Sequence, residues 1–148
     1  MTAFKETIEV PRPVDEAFAY VADFTTAAEW DPGIKSSRRL DSGPVRVGSE
    51  FDIVAVFRDK ETPFRYVVRE LEADERIVIH GEGEKATSDD TITFESVPEG
   101  TRITYEAELK LKGLLRLAEP FLARTFAESG RKALAGLEEK LRAGAHNP

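Results

Sequence analysis

The chain has no cysteine, one tryptophan, one methionine and two histidines in 148 residues. Without cysteine there are no disulfides, thiolate nucleophiles or cysteine-ligated zinc. With histidine only at positions 80 and 146, and no H-E-x-x-H spacing, no histidine cluster can hold zinc. A serine–histidine–carboxylate triad would depend on His80 alone. Gly81-Glu82-Gly83-Glu84-Lys85 is not a phosphate loop, and no other segment has that pattern. The formal net charge of −7 opposes binding to a nucleic-acid backbone. No apolar run approaches the ~20 residues that span a bilayer. The opening Met-Thr-Ala-Phe-Lys-Glu lacks the charged-then-apolar form of a secretory segment. Together these absences lead us to expect a soluble cytoplasmic protein with no metal and no cofactor.

What is present is a change of period at one glycine. Ile92 and Phe94 alternate with Thr91, Thr93 and Glu95, and Val97-Pro98-Glu99-Gly100-Thr101 then turns the chain. Ile103, Tyr105, Ala107, Leu109 and Leu111 follow on one face of a second strand. After Gly113 the period moves from two to about 3.6 residues and stays there. Upstream, a strand over 3–10 ends at Pro11, and Pro13 suits the first turn of a helix. That helix carries Ala17, Phe18, Val21 and Phe24 as its apolar stripe. A short helix over 25–30 stops at Asp31-Pro32-Gly33. Strands are predicted at 34–41, 48–58, 62–72, 76–84, 89–97 and 101–112. Gly43-Pro44, Asp59-Lys60 and Ala73-Asp74 mark turns between them. The length fits a single domain over 1–148.

In the last helix Leu122, Phe126, Gly130, Ala133, Leu134, Leu137 and Leu141 share one face. Extending that phase backward buries Glu119, and Pro120 denies the helix a backbone donor. A fresh start or kink near Pro120 is therefore expected, with 114–118 as a separate turn.

This order (β-α-α-β6-α) resembles the helix-grip fold of the START-like, or SRPBCC, superfamily, and within it the polyketide cyclase/dehydrase-like subgroup. Ile8-x-Val10, Pro13 and Asp15-Glu16-Ala17-Phe18 are similar to the family's opening strand and helix. Trp30-Asp31-Pro32-Gly33-Ile34 resembles its W-x-P motif, and Gly43-Pro44 with Val47-Gly48 its second hairpin. Pro98-Glu99-Gly100-Thr101-Arg102 is similar to its penultimate turn, and Leu134-x-x-Leu137-x-x-x-Leu141 to its terminal helix. Glu138 departs from the lysine of many relatives at a surface position. The resemblance implies an α+β fold, a curved antiparallel seven-stranded sheet around the C-terminal helix, with an internal cavity. Members bind lipids, sterols, polyketides or other apolar molecules, and some transform them. Fold alone does not choose among these.

The strand phases name the candidate lining: Phe51, Ile53, Ala55, Phe57, Phe64, Tyr66, Val68, Ile77, Ile79, Gly81, Gly83, Phe94 and Tyr105, with Leu122, Phe126 and Gly130 from the helix. Rings next to small residues suit an apolar ligand. The residues alone fit a packed core with ordinary strand glycines equally well; the resemblance favours the cavity. Trp30 is a candidate for the cavity mouth or a plug under the short helices. From this set, Trp30, Phe51, Ile53, Phe57, Tyr66, Ile79, Gly81, Phe94, Tyr105, Leu122, Phe126 and Gly130 are the expected ligand contacts.

Three charged residues are candidates for chemistry. Glu6 lies in phase with Phe4 and Ile8, and Arg38 with Ile34 and Leu40, so the two are expected to pair or to meet a polar ligand group. His80 falls on the outer phase, away from the cavity. Val54, Val56, Val67, Leu71 and Val78 share that outer phase and suggest a homodimer surface. The functional expectation is binding or transport of a small hydrophobic lipid-, polyketide- or aromatic-like ligand. The alternatives are a cyclase/dehydratase-type lyase using the same cavity, or a protein-interaction module. With only Glu6, Arg38 and tyrosines as expected interior polar groups, binding is favoured over catalysis.

Overall fold

A computed structural model describes residues 1–144; His146 lies outside the described residues. The elements are β1 (Thr2–Val10), α1 (Val14–Ala22), a 3₁₀ turn (Phe24–Thr26), α2 (Ala27–Trp30), β2 (Ile34–Arg39), β3 (Glu50–Phe57), β4 (Lys60–Glu72), β5 (Arg76–Gly83), β6 (Ala86–Val97), β7 (Gly100–Leu111), a second 3₁₀ turn (Gly113–Ala118) and α3 (Glu119–Gly144). The seven strands form one curled antiparallel sheet in the order β1-β7-β6-β5-β4-β3-β2. The two short helices carry the chain between its opposite edges, from β1 to β2. This is the helix-grip architecture. Among the described residues no helix is long and apolar enough to cross a membrane.

The switch at Gly113 follows from its backbone. Its φ of +58° is a left-handed conformation that glycine adopts without a Cβ clash, and it breaks the strand there. The separate turn and fresh helix start both occur, with Pro120 in the first turn of α3. Glu119 is nevertheless buried. Its Oε1 has no donor of normal hydrogen-bond geometry, and the terminal ammonium of Met1 stands against it. Its Oε2 accepts from the Leu111 N–H at 3.4 Å.

The core lies between the inner face of the sheet and the helices. Phe51, Ile77, Ile79, Ile92, Ile103 and Leu137 are fully buried. Each stabilises the fold by roughly 1.5–3 kcal/mol relative to exposure. Phe18 of α1 packs edge-on against Phe94 at 5.1 Å. At one end of the core, α3 is held to β1 and the turn after it by two long-range bonds, from Arg12 Nε to the Leu141 carbonyl (2.9 Å) and from Arg142 Nη2 to the Glu9 carbonyl (2.9 Å). α3 also meets α2 so closely that a Cβ on Gly136 would stand 1.9 Å from the Trp30 carbonyl oxygen.

Two bulges overturn expectations drawn from strict alternation. In β2 the register slips between Ile34 and Ser36, so Ile34 faces Ala55 while Ser36 faces Val54. The slip turns Arg38 to the outer face, where it pairs with Asp52 at 3.2 Å. The expected Glu6–Arg38 pair does not form, because their strands are the two opposite edges of the sheet. In β4 the register slips between Val68 and Glu70, which sets Leu71 opposite Ile77 and packs it against the core. Leu71 thus leaves the outer apolar stripe.

Candidate functional site

The inner face of β6 carries more than Ile92 and Phe94. The strand begins at Ala86, three residues before the predicted start, and the same alternation sets Ser88 and Asp90 inside. Each is only 6 % exposed. Ser88 Oγ donates to Asp90 Oδ1 at 2.8 Å, and the Tyr105 hydroxyl donates to Oδ2. Both carboxylate oxygens therefore have partners. Burial still pushes the Asp90 carboxyl up to about 6, although these two bonds pull it down. Asp31, at the end of α2, accepts from the Gly33 N–H at 2.8 Å. Burial, and then the charge of Asp90, raise Asp31 to about 6 as well.

Aromatic rings lead to this cluster from two sides. In one run Phe126 lies 5.1 Å from Phe4, Phe4 stacks on Tyr105 at 5.8 Å, and Trp30 meets Tyr105 edge-on at 6.3 Å. In the other, Phe51, Phe24, Tyr66 and Phe64 follow at 6.0, 6.3 and 5.9 Å. Each run includes a tyrosine that flanks the carboxylate: Tyr105 on Asp90, and Tyr66 beside Ser88. Burial raises both phenols, so neither ionises near neutrality. The arrangement presents a hydroxyl–carboxyl pair inside an aromatic enclosure. It can accept or donate a hydrogen bond to an oxygen function, and its carboxyl can exchange a proton near neutral pH.

The expected ligand contacts fall into two groups. Phe51, Ile53, Tyr66, Ile79, Gly81, Phe94, Tyr105, Trp30 and Gly130 are buried, while Phe57, Leu122 and Phe126 are half-buried. Tyr66, Tyr105, Trp30 and Phe126 come together around the cluster through the ring contacts above. Phe57 instead pairs with Lys60 at the β3–β4 hairpin, and Phe94 packs on Phe18. Trp30 is a plug: it is 4 % exposed, and its indole N–H donates to Thr26 Oγ1 at 3.3 Å. Glu6 is half-buried opposite Tyr105 in register.

The glycines leave less room than expected. A Cβ on Gly81 would lie 2.5 Å from the Tyr66 ring, on Gly83 2.9 Å from Phe64, and on Gly130 2.6 Å from Phe4. Aromatic rings already occupy the space these residues open. The larger of the two described concavities, about 880 Å³, is a groove on the outer face of β2–β5. His80 lines it, held by Asp89 at 2.5 Å and Glu82 at 3.2 Å. The Asp89 bond raises its pKa first of all, so His80 is an anchored surface group on the outer phase.

Asp90 and Asp31 were missed in the sequence. Asp90 lies two residues before Ile92 in the same alternation, and that phase was the available signal. The expectation that the interior holds few titratable groups is corrected by these two carboxylates.

Comparison with known proteins agrees with the geometry. The sequence profile of the family described as polyketide cyclase/dehydrase and lipid transport matches residues 1–142. No curated protein matches by sequence. Among solved structures, a Thermus thermophilus protein is similar at a TM-score of 0.82 and 18 % identity, covering 98 % of this chain and 99 % of its own. The Zhui aromatase/cyclase from a Streptomyces species reaches 0.83 at 10 % identity, with 98 % and 96 % covered. A START superfamily protein from Mycobacterium smegmatis gives 0.74 at 18 % identity, with 95 % and 99 % covered. These likenesses show the fold. The profile match over residues 1–142 makes this chain a member of the family described as polyketide cyclase/dehydrase and lipid transport.

Proposed function

We propose that the chain binds a small, largely apolar molecule bearing an oxygen function, held between the sheet and α3. The rings of Trp30, Tyr66, Phe4 and Phe126 would contact the apolar body, and Asp90 with Tyr105 the oxygen. The observation that carries this reading is Asp90 itself. A carboxyl raised from 3.8 to about 6 costs the fold about 3 kcal/mol when ionised, a cost an apolar residue would not bring. Entry requires rings to yield, and the rings over Gly81, Gly83 and Gly130 have no Cβ beneath them. The family description supports the reading, as does an aromatase/cyclase among the similar structures.

A second reading is favoured by the same carboxyls. Asp90, ionised near neutral pH, would take a proton from a carbon next to a carbonyl while the Tyr105 hydroxyl, turned from Asp90, donates its one proton to the carbonyl oxygen, as a cyclase or dehydratase requires. Self-association through the outer face has less support. Val56 stands opposite Glu61 and Val67 opposite His80, so charged and polar partners interrupt the stripe.

Paired titrations with 2-naphthol and naphthalene, followed by thermal shift, test the first reading. It predicts that 2-naphthol binds roughly tenfold tighter, as a buried hydrogen bond to a charged or polar group implies. Tyr105→Phe should abolish that preference. Equal response to both probes, or none to either, overturns it.

A further inference from the structure

The stretch following Gly113 bears apolar side chains on both of its faces. On one face Glu119 is buried, and Leu122 and Phe126 are half-buried against the protein. On the other, Leu114, Leu117 and Phe121 are 86 %, 76 % and 80 % exposed. Their spacing of three and then four residues sets them in line along the helical run. Arg124, three residues further, continues the line with its side chain 92 % exposed. A soluble helix normally keeps its outer face polar, so an outer row of large apolar groups calls for a covering surface.

The charges on this stretch identify that surface. From Lys110 to Arg124 the cations are Lys110, Lys112, Arg116 and Arg124, and the one acid, Glu119, is turned inward. Every exposed charge here is positive, in a chain whose net charge is −7. Lys112 pairs with Glu82, and Arg124 lies 3.7 Å from Glu128, while Arg116 bonds the Gly113 carbonyl at 3.3 Å. A second copy docked symmetrically through this face would bring like charges together. An anionic surface accepts the apolar row and the cations at once.

We propose that this edge of the molecule docks on an anionic lipid bilayer. Leu114, Leu117 and Phe121 enter the interfacial layer, and Arg116 and Arg124 sit at the level of the lipid phosphates. None of these five residues belongs to the Asp90–Tyr105 cluster, so the inference stands apart from the ligand reading.

Flotation of the full chain with two vesicle types is the test. One is phosphatidylcholine alone; the other contains about one-third phosphatidylglycerol. The anionic vesicles should bind at least roughly tenfold tighter, from the contribution of two surface cations, and lose that advantage at roughly half-molar salt. Leu117→Asp with Phe121→Asp should abolish flotation. Arg116→Glu with Arg124→Glu should remove the preference for anionic lipid. All four positions are exposed, and an unchanged unfolding midpoint checks that each variant folds. Failure of the wild-type chain to float with anionic vesicles overturns the proposal, as does unchanged binding by the aspartate variant. A dimer in light scattering that these substitutions dissolve, with no vesicle binding, also overturns it by naming a second copy as the occupant.

Discussion

Replacing Asp90 with asparagine removes a charge from the interior and leaves the side chain's shape unchanged. The native carboxyl, raised from 3.8 to about 6, keeps its proton over a range in which the unfolded chain has already lost it. Its contribution to stability is therefore highest below the unfolded value, falls as pH rises towards about 6, and is flat beyond. The full difference between the protonated and ionised limits is about 3 kcal/mol, and about 2.5 kcal/mol of it lies between about pH 4 and about pH 7.5. Asp90→Asn does not titrate, so it should gain about 2.5 kcal/mol relative to wild type over that interval. Its absolute offset depends on how the amide satisfies Ser88 and Tyr105, but the change with pH does not. Asp31 is raised partly by Asp90's charge, so relief of that repulsion adds to the gain. Urea unfolding of both proteins at the two pH values measures the difference of differences. Parallel pH curves, or a variant that loses ground as pH rises, would refute the assignment of Asp90 as a raised interior carboxyl.

Three further outcomes follow from the same contacts. Gly136→Ala should destabilise the fold by roughly 3 kcal/mol or more, because its Cβ would collide with the Trp30 backbone, even though alanine ordinarily favours a helix; chemical denaturation reads this directly. Tyr105→Phe leaves Asp90 Oδ2 without its donor and should cost roughly 1–3 kcal/mol near neutral pH and less in acid, measured by the same unfolding curves. Asp41 is held below the usual carboxylate range, first by its hydrogen bond from Arg39 and then by bonds from the Glu50 N–H and Ser49. Its contribution is present above the ordinary aspartate value and lost as pH falls below it, so Asp41→Asn should flatten the acid limb of the stability profile.

Local chemistry made much of the fold legible in advance. Gly113 and Pro120 are strong backbone signals, and the strand end, the separate turn and the new helix all fall where they indicate. Arg38 and Leu71 lie on the face opposite to the one alternation predicts because each lies beyond a bulge, and a one-residue slip reverses a phase without a mark in the alternation. The role of the strand glycines was hidden for a related reason. Gly81 and Gly83 read as missing volume until the β4–β5 register sets Tyr66 and Phe64 over them. Gly136 is a long-range requirement, set by Trp30 more than a hundred residues earlier, which no local pattern reveals. Asp90 is legible in the sequence: alternation run back from Ile92 sets it inside, on the same face as Tyr105 of the neighbouring strand.

The proposed site holds the oxygen function of an apolar molecule at Asp90 and Tyr105. Amide shifts in a nuclear magnetic resonance titration with 2-naphthol test it most directly. Shifts centred on Ser88, Asp90 and Tyr105 are expected, extending through Tyr66 and Trp30 and absent when Asp90→Asn and Tyr105→Phe are combined. Shifts centred instead on the outer groove around Arg65 and His80, or unchanged in the double variant, would contradict it.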